Sequence, residues 1–175
     1  MEKVSTPHTY VWHALYIKSR AEKKAQVELE AQGIETFLPL QRKLRQWSDR
    51  KKWVEMPVMS GYLFVKVCRK EYDQVLQSNH VVSYVRFEGK AAVVPDCQIE
   101  YLKMMLKQSD VEVEITREKL KPGQMVEVVS GPLIGLKGKL QKMKGKHKVA
   151  IEMEQLGYSA LIEIETCDIK SLKAT

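Results

Sequence analysis

The stretch from Arg42 to Lys52, RKLRQWSDRKK, combines positive charge with an aromatic ring in a way that suits nucleic acid. It holds six basic residues and one acid, with Trp47 among them. Basic side chains neutralise backbone phosphates, and a tryptophan ring can stack on an unpaired base. The alternative is a solvated loop that binds nothing, and composition alone leaves both interpretations open.

A second basic cluster surrounds the start of the first predicted helix, with Lys23 among its members. The amino end of a helix also favours phosphate, because its backbone amides lack partners there. Together the two clusters give the candidate nucleic-acid-binding residues Lys18, Arg20, Lys24, Arg45, Trp47 and Arg50.

A third group of basic residues lies between Lys137 and Lys148, where six lysines occur without an acid among them. On strands most of these side chains would point outward. A solvated face is the favoured interpretation, and an RNA-binding face is the alternative.

No set of residues predicts catalysis, a metal site or a cofactor. The four histidines are scattered, without a helical i, i+4 pair or a nearby cysteine, and no glycine-rich loop opens a helix. The three cysteines lack CxxC spacing, which favours a reducing cytoplasm over a disulfide framework. No apolar run reaches the length of a signal peptide or a membrane span. We therefore expect a cytoplasmic protein that is not an enzyme and does not bind membranes.

The elements that must position these residues begin with a strand predicted over residues 12–17. A helix should follow, since Ser19 and Glu22 have the spacing of a capping box and Gly33 is a natural stop. Strand-like segments on either side of a polar turn at Trp47 to Arg50 predict a hairpin.

The segment PVMSGYLFVKV, residues 57–67, is predicted to be a strand with two apolar faces. Its odd-numbered positions from 63 onward are aliphatic and predict a core-facing side. Tyr62 and Phe64 share the opposite side. That side must be covered either by a helix of the same chain or by another protein.

The element order β-α-β-β-α-β-α predicts an α+β fold, with an antiparallel sheet and flanking helices. The charged stretch that begins at Ser109 is predicted to be a linker. The short alternating strands after it, with regular turn signals, predict a small SH3-like β-barrel. The predicted organisation is a first domain over 1–108, a linker over 109–122 and a barrel over 123–175. The charge is uneven, because 18 basic and 12 acidic residues precede Ser109 while 11 and 10 follow.

The chain resembles the NusG-like transcription elongation factors over residues 10–173. The segment KPGQMVEVVSGPLIGLKGKLQKM is similar to a KOW motif, and the segments WHALYIKSRAEKKAQVELEAQGIETFLP, GYLFVKV and VRFEGKAAVVPD are similar to a NusG N-terminal domain. The KOW-like positions are Gly123, Val126, Gly131, Pro132, Gly135 and Gly138. Within the family, the segments YLF and VRF…VVP resemble the specialised RfaH-like and UpxY-like members more than housekeeping NusG.

The resemblance implies an apolar groove on the N-terminal domain that holds the clamp helices of the RNA polymerase β′ subunit. The positions that match this groove are Tyr16, Met59, Tyr62, Phe64, Ile99 and Leu102. An ordinary core role is the competing interpretation for Ile99 and Leu102. The groove hypothesis requires Tyr62 and Phe64 to be accessible rather than sealed beneath an internal helix.

The resemblance also implies a function, namely suppression of pausing or termination at specific operons. The implied partners are RNA polymerase and either the non-template DNA strand or nascent RNA, and the protein is expected to act as a monomer. A ribosomal protein or Rho is an open alternative as a partner of the barrel. Two other functions stay open: a housekeeping NusG-type elongation or termination factor, and a ribosome-associated KOW protein that binds RNA.

Overall fold

Residues 9–108 and 111–172 are described by the computed structural model of the chain, and they form two units. The first unit contains the described residues up to Leu38 together with Ser60–Asp96. The second contains Pro39–Met59 and the described residues from Cys97 onward. The domain boundaries 1–108, 109–122 and 123–175 stay a prediction.

Short strands dominate both units, and three α-helices accompany them within the described ranges. The strands are β1 (Val11–Ile17), β2 (Glu35–Phe37), β3 (Leu40–Gln46), β4 (Lys51–Pro57), β5 (Tyr62–Val67), β6 (Val81–Tyr84), β7 (Arg86–Phe87), β8 (Lys90–Ala91), β9 (Val93–Val94), β10 (Glu114–Thr116), β11 (Met125–Val128), β12 (Lys137–Met143), β13 (Lys146–Met153), β14 (Tyr158–Glu163) and β15 (Ile169–Ser171). The helices are α1 (Glu22–Ala31), α2 (Tyr72–Leu76) and α3 (Asp96–Leu106). None of the helices in the described ranges has the length and apolar character that a membrane-spanning segment needs.

The first unit is an antiparallel sheet in the order β2-β5-β1-β6, with β9 also paired to β1. Helix α1 contacts β2 and β5, and α2 contacts β6. The hydroxyl of Thr36 donates a hydrogen bond to Glu30 of α1, and Thr36 lies opposite Val65 in the sheet. Helix α1 therefore lies on the aliphatic, odd-numbered side of β5, and the predicted α+β class with its antiparallel sheet is confirmed.

The start of α1 differs from the sequence prediction. The residue that precedes the helix is Ala21, and no side chain caps it. Arg20 has a positive φ of 59°, which turns the chain before the helix and takes Ser19 out of capping position. Glu22 instead accepts a hydrogen bond from the backbone N–H of Gly61, at 2.8 Å. The predicted capping box is therefore wrong, whereas the predicted stop is confirmed, since Gly33 follows the helix with a φ of 82°.

The second unit contains the predicted hairpin, β3 with β4, and a six-stranded antiparallel sheet in the order β10-β14-β13-β12-β11-β15. A second β-rich domain is therefore present, as predicted. Strand β10 lies inside the predicted linker and pairs with β14. Part of that charged stretch is thus ordered by the sheet beside it.

The glycines of the KOW-like segment serve two different purposes. Gly131 and Gly135 have φ values of 76° and 87°, so they supply the left-handed turns expected of them. Gly138 has no such turn. A Cβ atom at Gly138 would lie 2.5 Å from the carbonyl oxygen of Ala150, and one at Gly123 would lie 2.4 Å from that of Leu140. These two glycines allow close backbone approach rather than a turn.

Candidate functional site

Aromatic rings cover the even-numbered side of the first unit's sheet, opposite α1. The rings of Tyr16 and Tyr62, paired across β1 and β5, have centroids 5.1 Å apart. Phe37 and Phe64, paired across β2 and β5, stack at 6.0 Å. We call this surface the aromatic face, and its members are Trp12, Tyr16, Phe37, Tyr62 and Phe64.

Burial divides the predicted groove residues into one exposed member and five buried ones. Tyr16 is 41% exposed, whereas Tyr62 and Phe64 are 4% and 0% exposed. The expected accessibility of these two rings is therefore not observed. The three remaining predicted residues belong to the second unit and are also buried, namely Met59, Ile99 and Leu102.

The pairing of Tyr16 with Tyr62 is fixed by backbone contacts at the start of β5. The N–H of Ile17 donates to the carbonyl of Gly61 at 2.8 Å, and the N–H of Gly61 donates to Glu22. Gly61 can do this because its φ is 79°, in the left-handed region that glycine enters freely. The sequence did not reveal this role of Glu22, since its partner lies 39 residues along the chain.

Exposed basic residues follow the aromatic face directly along the chain. Lys18 and Arg20 come just after β1, and Lys24 lies in the first turn of α1; all three side chains are exposed. The N–H of Lys18 donates to the carbonyl of His80 at 3.0 Å, which holds the backbone there. The positive charge of Lys18 therefore lies two residues from Tyr16, on a backbone held by this hydrogen bond.

The hairpin carries the other predicted nucleic-acid-binding residues, and all of them are exposed. Strands β3 and β4 pair in register from Leu40 with Pro57 to Gln46 with Lys51. The N–H of Trp47 then donates to the carbonyl of Arg50 at 2.8 Å, which closes the predicted turn. Trp47 is 59% exposed.

The register divides the hairpin into two faces, because side chains alternate along each strand. The Arg45 face consists of Gln41, Lys43, Arg45, Lys52, Val54 and Met56. The Trp53 face consists of Leu40, Arg42, Leu44, Gln46, Lys51, Trp53, Glu55 and Pro57.

The two faces differ in charge. On the Arg45 face, Arg45 lies directly opposite Lys52, so two like charges are neighbours. On the Trp53 face, Arg42 lies opposite Glu55. The sequence analysis did not single out Lys52, because its position opposite Arg45 becomes visible only once the register is known.

The Trp53 face also carries an exposed apolar pair that the sequence analysis missed. Leu44 lies opposite Trp53, and the tryptophan is 55% exposed. The sequence could have predicted this pair, because Leu44 and Trp53 are equally far from the two ends of the predicted turn.

Contacts with residues 111 and 112 hold the base of the Arg45 face. The side-chain amide of Gln41 donates to the carbonyl of Val111 at 3.1 Å, and the ammonium of Lys43 contacts the Glu112 carboxylate at 2.5 Å. The charge of Lys43 is thereby compensated. Arg45 and Lys52, nearer the turn, are exposed.

Four of the six lysines between 137 and 148 lie against glutamates of other strands in the same sheet. Lys137 is 3.8 Å from Glu127, Lys146 is 2.8 Å from Glu163, and the remaining pairs are Lys139 with Glu152 and Lys148 with Glu114. The hydrogen bond from Lys148 holds the pKa of the Glu114 carboxyl below its usual value. This surface is largely compensated in charge, which supports the solvated-face interpretation.

His13 is a buried core histidine. Its Nδ1 lies 2.9 Å from the carbonyl oxygen of Ala92, and its Nε2 is hydrogen-bonded with the hydroxyl of Tyr72. Burial lowers the pKa of His13 and raises that of Tyr84, whose ring contacts it edge-on. Within residues 9–108 and 111–172, no three His, Cys, Asp or Glu side chains are grouped so that they could hold a metal ion.

A protein-family model and two solved structures are similar to this chain. The family model described as "Transcription termination factor nusG" matches residues 10–103. The chain is similar to Thermotoga maritima NusG, in a solved structure concerning domain interaction, with 18% identity over 94% of this chain and 98% of that chain and a TM-score of 0.50. At that identity the similarity shows the fold alone.

A second solved structure, of an MjSpt4:Spt5 complex, has 16% identity over 93% of this chain and 97% of that chain. Its TM-score of 0.30 is too low to support an argument. No curated protein matches the chain significantly.

Proposed function

This chain belongs to the NusG family, and we propose that it is a transcription elongation and antitermination factor that binds the RNA polymerase clamp through its first unit. The observation that carries the proposal is that the matched residues, 10–103, include the whole aromatic face. Tyr16 is 41% exposed on this face, and exposed aromatic anchors of this kind dominate many protein interfaces, including those with helical partners. An operon-specific role of the RfaH-like or UpxY-like type forms part of the same proposal.

Tyr16 is our candidate for direct contact with the clamp, because it is the exposed member of the predicted set. Tyr62 packs against the Tyr16 ring and so sets its orientation. Tyr62 and Phe64 are buried in the same sheet, so their effect on binding would act through the position of Tyr16. Met59, Ile99 and Leu102 are buried in the second unit, and we propose no direct contact of these residues with the clamp.

The proposed mechanism needs no chemical step by the protein, in keeping with a family of transcription factors rather than enzymes. A factor that binds one conformation of the clamp more tightly shifts the polymerase toward that conformation. Holding the clamp closed would suppress pausing and termination. The exposed basic residues beside Tyr16 and on the hairpin would meanwhile contact the non-template DNA strand, and the site of action would be the cytoplasm.

The proposal is tested by capture of RNA polymerase with the wild-type chain and a Tyr16→Ala variant. Loss of an aromatic anchor costs about 2 kcal/mol, so the affinity should fall about 30-fold. Tyr10→Ala is the matched control, because Tyr10 is also an exposed tyrosine and lies about 20 Å away along the strand direction. Equal capture by wild type and Tyr16→Ala would refute the proposed contact.

The alternative of RNA binding by the barrel is disfavoured by the lysine–glutamate pairs on its surface. A housekeeping role is separated from antitermination by two assays. Transcription across a terminator should yield more read-through with the factor present, and the isolated Rho protein should not bind it. Reduced read-through together with Rho binding would instead favour the housekeeping function.

A further inference from the structure

Two like charges lie side by side on the outer half of the hairpin's Arg45 face. Arg45 and Lys52 are directly opposite each other in the register, where Cα atoms are about 5.5 Å apart in a hydrogen-bonded pair. Like charges in this position destabilise a strand pair. In the described part of the chain, no carboxylate lies within salt-bridge distance of either side chain. An anion from outside the protein would relieve the repulsion.

The same side of the hairpin carries an aromatic ring one step nearer the turn. Because the N–H of Trp47 is bonded to the carbonyl of Arg50, the strand alternation continues and places this pair on the Arg45 side. Successive pairs on one face are about 7 Å apart. That distance is about twice the 3.4 Å spacing of stacked nucleotides along one strand. One nucleotide step of a single strand that is unstacked and extended to twice that spacing therefore matches the distance from the charges to the ring.

The Trp53 face lacks this combination. Its Arg42 lies opposite Glu55, so the pair directly across the strands has opposite rather than like charges. Its exposed apolar pair, Leu44 with Trp53, has no like-charge pair beside it. The combination of a like-charge pair and a neighbouring aromatic ring thus occurs on one of the two hairpin faces.

We propose that Arg45 and Lys52 form a phosphate clamp for single-stranded DNA, with Trp47 stacking on the base next to the clamped phosphate. The guanidinium of Arg45 offers paired donors to a phosphate, and the ammonium of Lys52 adds a second charge. This inference rests on the proposed function, which brings the hairpin to the displaced strand. It adds Lys52 to the binding residues and assigns the binding to one face.

The hairpin supplies matched controls for every residue of the proposal. Lys51 and Lys52 are neighbours with the same charge on opposite faces, and so Lys51→Gln controls Lys52→Gln. In the same way Arg42→Gln controls Arg45→Gln. Trp53→Ala controls Trp47→Ala, since both rings are more than half exposed.

The test measures binding of the full chain to a labelled single-stranded DNA of about 16 nucleotides, the upper end of common site sizes, by fluorescence anisotropy over a salt series. No polymerase is present, so failure here is independent of the Tyr16 experiment. Each phosphate contact that is lost should reduce the slope of log affinity against log salt by about 0.7. We expect this reduction in Arg45→Gln and in Lys52→Gln, and no change in their controls.

Trp47→Ala should weaken binding about tenfold while Trp53→Ala leaves it unchanged. Neither glutamine variant should unfold the hairpin, because each removes a repulsion, and circular dichroism checks this. If the slope of log affinity against log salt is the same in Arg45→Gln and Lys52→Gln as in their controls Arg42→Gln and Lys51→Gln, the proposal is overturned, because net charge alone would then explain binding. Tighter binding of RNA, or equal binding of duplex DNA, would likewise overturn the assignment to single-stranded DNA.

Discussion

Replacing Glu22 by alanine should loosen the first unit's sheet where β5 begins. In the native chain the buried Glu22 carboxylate accepts the N–H of Gly61, and the carbonyl of Gly61 accepts the N–H of Ile17. Alanine would leave the Gly61 N–H without its acceptor. A hydrogen bond to a charged group contributes about 1.5–3 kcal/mol, and this one is partly buried, so we expect a loss of about 2 kcal/mol.

Amide hydrogen exchange measures this loss within the first unit. Local opening there should become about 30-fold more frequent, as a change of about 2 kcal/mol requires. Peptides from β1 and β5 should therefore exchange faster in the variant. Peptides from β12 and β13 serve as an internal reference, because those strands belong to the second unit.

Two further variants separate the hydrogen bond from other effects at Glu22. Glu22→Gln keeps an acceptor oxygen but loses the charge, so it should cost less than Glu22→Ala. Glu35→Ala removes an exposed carboxylate of β2 and should change stability by less than about 0.5 kcal/mol. Unchanged exchange in Glu22→Ala, or an equal loss in Glu22→Gln, would refute this account of the contact.

Two further predictions concern packing and pH. Gly138→Ala should destabilise the second unit by about 1–3 kcal/mol in urea unfolding, because its new Cβ must move by about 0.5 Å from the Ala150 carbonyl oxygen. Gly131→Asn should be tolerated, because Gly131 has a left-handed backbone and open space around it. Stability should also fall as the pH drops below about 6.5, because the lowered pKa of His13 means that the unfolded chain binds a proton first. The loss of unfolding free energy should stop once the pH is below the folded-state pKa of His13, and His13→Gln should make the unfolding free energy less dependent on pH in this range. A pH profile of unfolding in His13→Gln that is identical to that of the wild type would contradict this.

Local signals in the sequence were enough to predict most elements. The α1 helix, its stop at Gly33 and the turn at Trp47 each depend on residues within a few positions of one another. Periodicity and turn chemistry act over that range, so they predict such features well. The α+β class followed from the order of these elements.

Long-range contacts account for what the sequence did not predict. Glu22 matched a local capping pattern, yet its acceptor role depends on Gly61, 39 residues away. The lysines from 137 to 148 showed no acid among them, whereas the glutamate partners of four of them lie on other strands of the same sheet. The burial of Tyr62 likewise depends on tertiary packing, which alternation along one strand cannot reveal.

The compensated lysines of the barrel have a consequence for how the molecule meets DNA. A lysine held against a glutamate adds little to the electric field beyond a Debye length, about 8 Å at physiological salt. Of the formal charge of +7, the region from Ser109 onward carries only +1, from 11 basic and 10 acidic residues, so the barrel should attract a polyanion weakly. Long-range steering should originate from the hairpin and the start of α1, so neutralising charges there should slow capture of DNA.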